Sequence, residues 1–165
     1  MEGKMKNLLM LAAVGVPMAL GAEQVTSPDG AIVVDVDIAT GGVPTYKVDY
    51  KGKPVVLPSR LGLTLASESS RRDFSADAVK TSADALQMTS GFAITDIERG
   101  AVDETWAPVW GEEDSIRCNY NEMALKLTQT DLDRYMIVRI RVFNDGLGFR
   151  NELPAQPHMT YFGLQ

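Results

Sequence analysis

An antiparallel all-β sandwich is the fold class this sequence predicts. Short runs alternate apolar and polar residues, helical periodicity is almost absent, and turn residues separate the runs. Alternation at period two puts one face of a strand in a core and the other in water, as antiparallel sheets allow. Many such strands with turns between them pack as two facing sheets.

In chain order, Ala31–Ile38 (AIVVDVDI) places Ile32, Val34, Val36 and Ile38 on one face and Asp35 and Asp37 on the other. Tyr46–Tyr50 alternates likewise. Lys51-Gly52 then predicts a turn into Lys53–Leu57, where Pro54 marks an edge strand because proline lacks the ladder N–H. Gly62–Leu65 and Phe92–Ile97 are further short strands. The polar interval Ser67–Ala85 between them predicts a surface loop with at most a helical turn. The clearest pair comes later. Glu122–Thr128 turns Met123, Leu125 and Leu127 inward and Ala124, Lys126 and Thr128 outward. Tyr135–Phe143 turns Met136, Val138, Ile140 and Val142 inward and Arg139 and Arg141 outward. Gln129–Arg134 is the polar connection of an antiparallel hairpin.

At 165 residues the chain suits one domain with a sizeable core. Its net charge of −6 argues against nucleic acid, since no basic surplus exists to displace counterions from phosphates. Residues 1–22 differ from the rest. Lys4 and Lys6 precede the apolar run Leu8–Leu20, and the small residues Gly21 and Ala22 follow. This order predicts a cleaved secretory signal peptide, hence export and no membrane association afterwards. The apolar run is too short to span a bilayer well, and Pro17 interrupts it. Residues 23–165 then form the folded part. Cys118 is the single cysteine, so no internal disulfide forms, and it is expected to be a small semi-buried hydrophobe.

Familiar catalytic signatures are missing: no G-x-S-x-G, P-loop, G-x-G-x-x-G or C-x-x-C occurs. His158 is the lone histidine, which excludes a His-rich zinc site within the chain. Asp35/Asp37 and Asp131/Asp133 lack the glycine and distal Glu of a calcium loop and are expected to be solvated carboxylates. Three stretches are dense in residues that are costly to place. In Trp106-Ala-Pro-Val-Trp110-Gly-Glu112-Glu113, tryptophan faces could stack on sugar rings, or could pin a loop to the sandwich as apolar anchors. The core preference of Trp favours anchoring, above all for Trp110. Tyr120-Asn121-Glu122 opens a strand, and its Glu could bind a ligand or metal, or more often closes a local hydrogen-bond network. Asn144-Asp145-Gly146 is a tight-turn signal. Beyond it, Arg150 near Glu152 could form an ion pair across the turn or bind a carboxylate or sugar.

These stretches carry a resemblance. Ser27-Pro28-Asp29-Gly30, Gly42–Tyr46, Tyr50–Pro54 and Ser59–Leu63 resemble the N-terminal domain of glycoside hydrolase family 97 in order and spacing. So do Thr105–Glu112, Tyr120–Glu122 and Phe143–Arg150. Asn151 stands where the family tends to have Tyr, and Cys118 where a polar residue is common. The resemblance implies a galactose-mutarotase-like β super-sandwich, incomplete here. In complete members a catalytic (β/α)₈ barrel and a small C-terminal β domain follow. It implies calcium-dependent α-glucosidases or α-galactosidases of the periplasm, with catalytic carboxylates and most calcium ligands on the barrel. It places one further calcium-ligating Glu of the N-terminal domain beyond Gln165, and assigns this chain neither a catalytic residue nor a cofactor of its own.

Two functions follow. One is a non-catalytic, carbohydrate-binding accessory domain, with Trp106, Trp110, Glu112, Asn121, Glu122 and Arg150 near oligosaccharide. The other is a packing module that braces the barrel without touching sugar. A third, an independent enzyme, needs chemistry that the sequence does not display. His158–Leu164 (HMTYFGL) is expected to be a strand beginning to pair, so that the chain alone self-associates through an open edge.

Overall fold

The computed structural model describes residues 21–66, 86–156 and 163–164. The leader through residue 20, the polar interval 67–85 and His158 to Phe162 lie outside the described residues, and so do the expectations placed on them. Three antiparallel sheets are built from eleven strands, and no α-helix occurs among the described residues.

The first sheet runs in chain order through β1 (Glu23–Thr26), β2 (Ile32–Ala39), β3 (Val43–Tyr50) and β4 (Lys53–Arg60). The β1–β2 turn is held by Ser27. Its backbone N–H donates to Ile32 O, its Oγ accepts the Ile32 N–H, and Asp29 Oδ1 accepts the Ala31 N–H. At the β3–β4 turn Lys51 and Gly52 both have positive φ (49° and 74°), the twist that a two-residue hairpin requires. The strand carrying Pro54 is an edge of this sheet, as its missing N–H demands.

The second sheet has the order β10 (Leu147–Glu152), β9 (Arg134–Phe143), β8 (Ile116–Gln129), β7 (Ala93–Trp106). The expected hairpin is β8–β9, closed by a 3₁₀ turn at Thr130–Leu132 and by Asp133 in the left-handed region. A third, small sheet joins β5 (Leu63–Ala66) to β6 (Leu86–Met88) and to β11 (Gly163–Leu164).

One core lies between the two large sheets. Val25, Ile32, Val34, Val36 and Val48 face Met123, Leu125, Leu127, Met136, Val138, Ile140 and Val142, all buried, and Leu65, Met88 and Phe92 belong to the same cluster. The inward sets expected for β2, β8 and β9 are thus the observed ones, apart from Ile38, which is only partly buried. Asp35 departs from expectation. It is buried rather than solvated, because Gln24 Nε2 donates to it at 2.9 Å and Lys47 Nζ lies 3.2 Å away. Asp131 and Asp133 are exposed as expected. Cys118 is half-buried and free.

Two sequence signals far apart in the chain meet at one end of the sandwich. The Asp29 N–H of the first turn donates to Asn144 Oδ1 of the β9–β10 turn at 3.0 Å. That second turn is closed by Phe143 N–H to Gly146 O at 2.8 Å.

Candidate functional site

The outward face of the β7–β10 sheet carries a chain of linked ion pairs. Antiparallel register sets Glu122 of β8 opposite Arg141 of β9, Ala124 opposite Arg139, and Arg139 in turn opposite Arg150 of β10. Period-two alternation keeps all these side chains on one face. Glu122 accepts from Arg139 Nη1 and from Arg141 Nε, each at 2.6 Å. Glu152 accepts from Arg139 Nε and Arg150 Nε, each at 2.7 Å. Arg139 therefore sits at the centre of a five-membered chain, Arg141–Glu122–Arg139–Glu152–Arg150. The Arg141 guanidinium lies 4.7 Å from the centroid of the Tyr120 ring, which packs in turn on Phe143.

This network fixes protonation. Burial works to raise the Glu122 pKa, but the hydrogen bonds from Arg141 and Arg139 outweigh it and hold the carboxyl below its ordinary 4.5. Glu152 is lowered chiefly by Arg139, against burial and with help from Arg150. Arg139 is raised by the same bonds, first from Glu152 and then from Glu122.

A second feature leaves the sandwich altogether. β9 ends where Phe143 pairs with Tyr120, but β7 and β8 continue through four more pairs, from Asp103↔Asn119 to Trp106↔Ile116. Beyond the third strand they form a two-stranded arm. Asp103 and Arg117 clamp it by two hydrogen bonds of 2.8 and 2.7 Å, which lower the aspartate pKa and raise that of the arginine. The arm's tip presents Trp106 (50% exposed), Val109 (99%) and Trp110 (90%), followed by exposed Glu112, Glu113 and Asp114.

The six residues expected near sugar thus divide. Trp106, Trp110 and Glu112 occupy the arm, whereas Glu122 and Arg150 belong to the charged face, linked through Arg139 and Glu152. Asn121 joins neither. It points inward between the large sheets and donates from Nδ2 to Thr26 O at 2.9 Å. The anchoring role expected above all of Trp110 is overturned: its ring, 90% exposed, pins nothing within the described residues, whereas Trp106 is half-exposed. Nor does Glu122 open a strand, since β8 begins six residues earlier. Arg150 and Glu152 do pair, but along one face of β10 rather than across the turn. Arg139 and Arg141 were legible only as outward residues. The loop bounds Gln129–Arg134 oppose Thr128 to Tyr135 and hence Glu122 to Arg141, a signal that would have found the network.

The fold and these positions can be set against known proteins. The family model described as "Glycosyl-hydrolase 97 N-terminal" matches residues 25–163. The chain belongs to this family. Among solved structures, a glycoside hydrolase family 97 enzyme from Pseudoalteromonas sp. strain K8, in complex with acarbose, aligns with a TM-score of 0.69 at 23% identity. The alignment covers 86% of this chain and 19% of that one. The same organism's enzyme in complex with panose also gives 0.69 at 23% identity, with the same coverage. A beta-arabinopyranosidase gives 0.69 at 19% identity, covering 87% of this chain and 20% of its own. At such identities the likeness is one of fold, and this family 97 chain spans about one fifth of the length of each structure.

Among the described residues no three His, Cys, Asp or Glu side chains converge where a metal ion could be held. Glu122 and Glu152, the sheltered carboxylates of the charged face, already have arginine partners. The described part of this family 97 domain therefore does not fit a calcium site.

Proposed function

We propose that this chain is the non-catalytic, carbohydrate-contacting accessory domain of an exported, calcium-dependent exo-α-glycosidase acting on α-glucosides or α-galactosides. The exposure of Trp110 at the end of the arm carries this reading. The C–H face of a pyranose packs on an aromatic ring, and a ring held clear of the sandwich is open to it from both sides. Glu112 and its acidic neighbours supply acceptors for sugar hydroxyls beside that ring. Export rests on the Lys4/Lys6, Leu8–Leu20, Gly21-Ala22 order, and the periplasmic location on the family resemblance.

The state of the sheltered carboxylates supports a non-catalytic role. Glycoside hydrolysis needs one carboxyl protonated to give its proton to the leaving oxygen. Glu122 and Glu152 are held ionised by their arginines, the opposite of what a general acid requires. The chain is expected to show no hydrolysis of nitrophenyl α-glucoside or α-galactoside, with or without calcium. Turnover abolished by Glu122→Gln would overturn this.

Isothermal titration with maltooligosaccharides tests the sugar contact. Binding that Trp110→Ala removes, at unchanged melting temperature, is expected. A second reading has its own observation: Val109 and Ile116 are exposed beside the tryptophans, and aliphatic side chains suit a protein surface better than a sugar. In that reading the arm braces the barrel, and titration gives no heat.

A further inference from the structure

The five-membered chain of the charged face is open at both ends, and both ends are arginines. Arg141 terminates one end and Arg150 the other, and Gly148 lies between them. It pairs with Arg141 across the β9–β10 ladder and stands two residues from Arg150 on the same face of β10. The geometry points to a binding site for one carboxylate group in the notch over Gly148.

Charge balance is the first support. Three guanidiniums alternate with two carboxylates, so the five-membered chain itself carries one excess positive charge. A third carboxylate between Arg141 and Arg150 would close the open chain into a ring of strict alternation. Donors are the second. Arg141 is committed through Nε to Glu122, and Arg150 through Nε and Nη2 to Glu152. Arg141 Nη1 and Nη2 and Arg150 Nη1 have no hydrogen-bond partner among the described residues. A planar guanidinium edge matches the two oxygens of a carboxylate. The Glu122 bond and the Tyr120 ring hold Arg141 in place, so little rotamer freedom remains to be lost on binding.

Space is the third. The notch measures about 230 Å³ and is lined by Arg139, Arg141, Phe143, Gly148, Phe149 and Arg150. A Cβ at Gly148 would meet nothing within 4 Å, so this glycine leaves a floor without a side chain. Phe143 supplies an apolar wall that shelters the ion pair from water. A monoanion with a planar head fits this combination, and a neutral sugar offers the guanidiniums no charge to answer.

The carboxylate could come from a uronic acid sugar or from an Asp or Glu side chain of another domain, and the experiment separates them. Gly148 and its neighbours are followed by ¹H–¹⁵N correlation spectra while the chain is titrated with sodium glucuronate, glucose, N-acetylaspartate amide and sodium chloride at matched ionic strength. Saturable shifts with glucuronate or N-acetylaspartate amide, and none with glucose, are expected. Glucuronate binding at least about tenfold tighter identifies an acidic sugar, whereas equal affinity identifies a side-chain carboxylate. Gly148→Leu fills the notch and leaves every arginine in place. It should weaken binding at least about tenfold at unchanged melting temperature; Arg141→Gln should weaken binding as much, with some loss of stability because its bond to Glu122 goes too. Shifts no larger than those from chloride, or a Gly148→Leu variant that binds like the wild type, would overturn the site.

Discussion

Glu122→Gln tests whether the charged face stabilises the sandwich or merely decorates it. The substitution keeps the side-chain volume and one acceptor oxygen but removes the charge. Two bonds of 2.6 Å, from Arg139 and Arg141, then lose their ionic character. The Glu122 and Arg139 side chains are 18% and 19% exposed, so the pair is neither buried nor a free surface bridge. Breaking a buried pair costs about 3–5 kcal/mol, and an exposed pair contributes about 0–1. Arg139 keeps Glu152 in the mutant, which lowers the cost, while Arg141 keeps only the Tyr120 ring. A loss of about 2 kcal/mol follows, between those limits. Urea unfolding should show it as a lower midpoint at unchanged slope. The pH dependence carries the same signature. Glu122 and Glu152 are depressed in the folded state, so their stabilisation is complete above the unfolded pKa, near 4.5, and is lost as pH falls through the lower folded values. The acid limb should flatten in Glu122→Gln. A loss under about 0.5 kcal/mol with an unchanged acid limb would refute the reasoning, since it would place the network among surface ion pairs of no energetic consequence.

Other outcomes follow from the same structure. Trp110→Ala should change stability by less than about 0.5 kcal/mol, because the ring is exposed; thermal denaturation checks it. Leu125→Ala, at a fully buried core position, should cost about 3–4 kcal/mol in the same assay. Gly42→Ala should cost about 2 kcal/mol or more, because φ is +70° and the new Cβ would lie 2.5 Å from the Phe92 backbone nitrogen; urea unfolding measures it.

Sequence made the core legible where one face of a strand is dry. The β2, β8 and β9 patterns place Val34, Leu125 and Val138 inside because hydrophobic burial imposes period two there. It failed on β7, expected over Phe92–Ile97 and observed over Ala93–Trp106. Residues Glu98 to Trp106 lie mostly exposed on both faces, so no alternation betrays them. β1 and β6, of four and three residues, are too short for a period to show. The tryptophans misled for a related reason. Burial preference is an average over positions, and these two stand beyond the last strand that could cover them. The charged site was half legible: its residues were visible one by one, whereas their joining depends on register across two hairpins.

The arm has a consequence for how such a domain can change over time. It leaves the sandwich at the Tyr120–Phe143 pair, and past that point its ladder is only two strands wide. Substitutions at residues 107–115 therefore touch no core residue among the described residues, where their effect on folding is confined to the ribbon that carries them. Most mutations that alter what a protein touches also erode its stability, and lineages must offset that loss elsewhere. If the tip makes the contact proposed for it, the two properties reside in different places, and the tip can be exchanged residue by residue while the sheets behind it stay as they are.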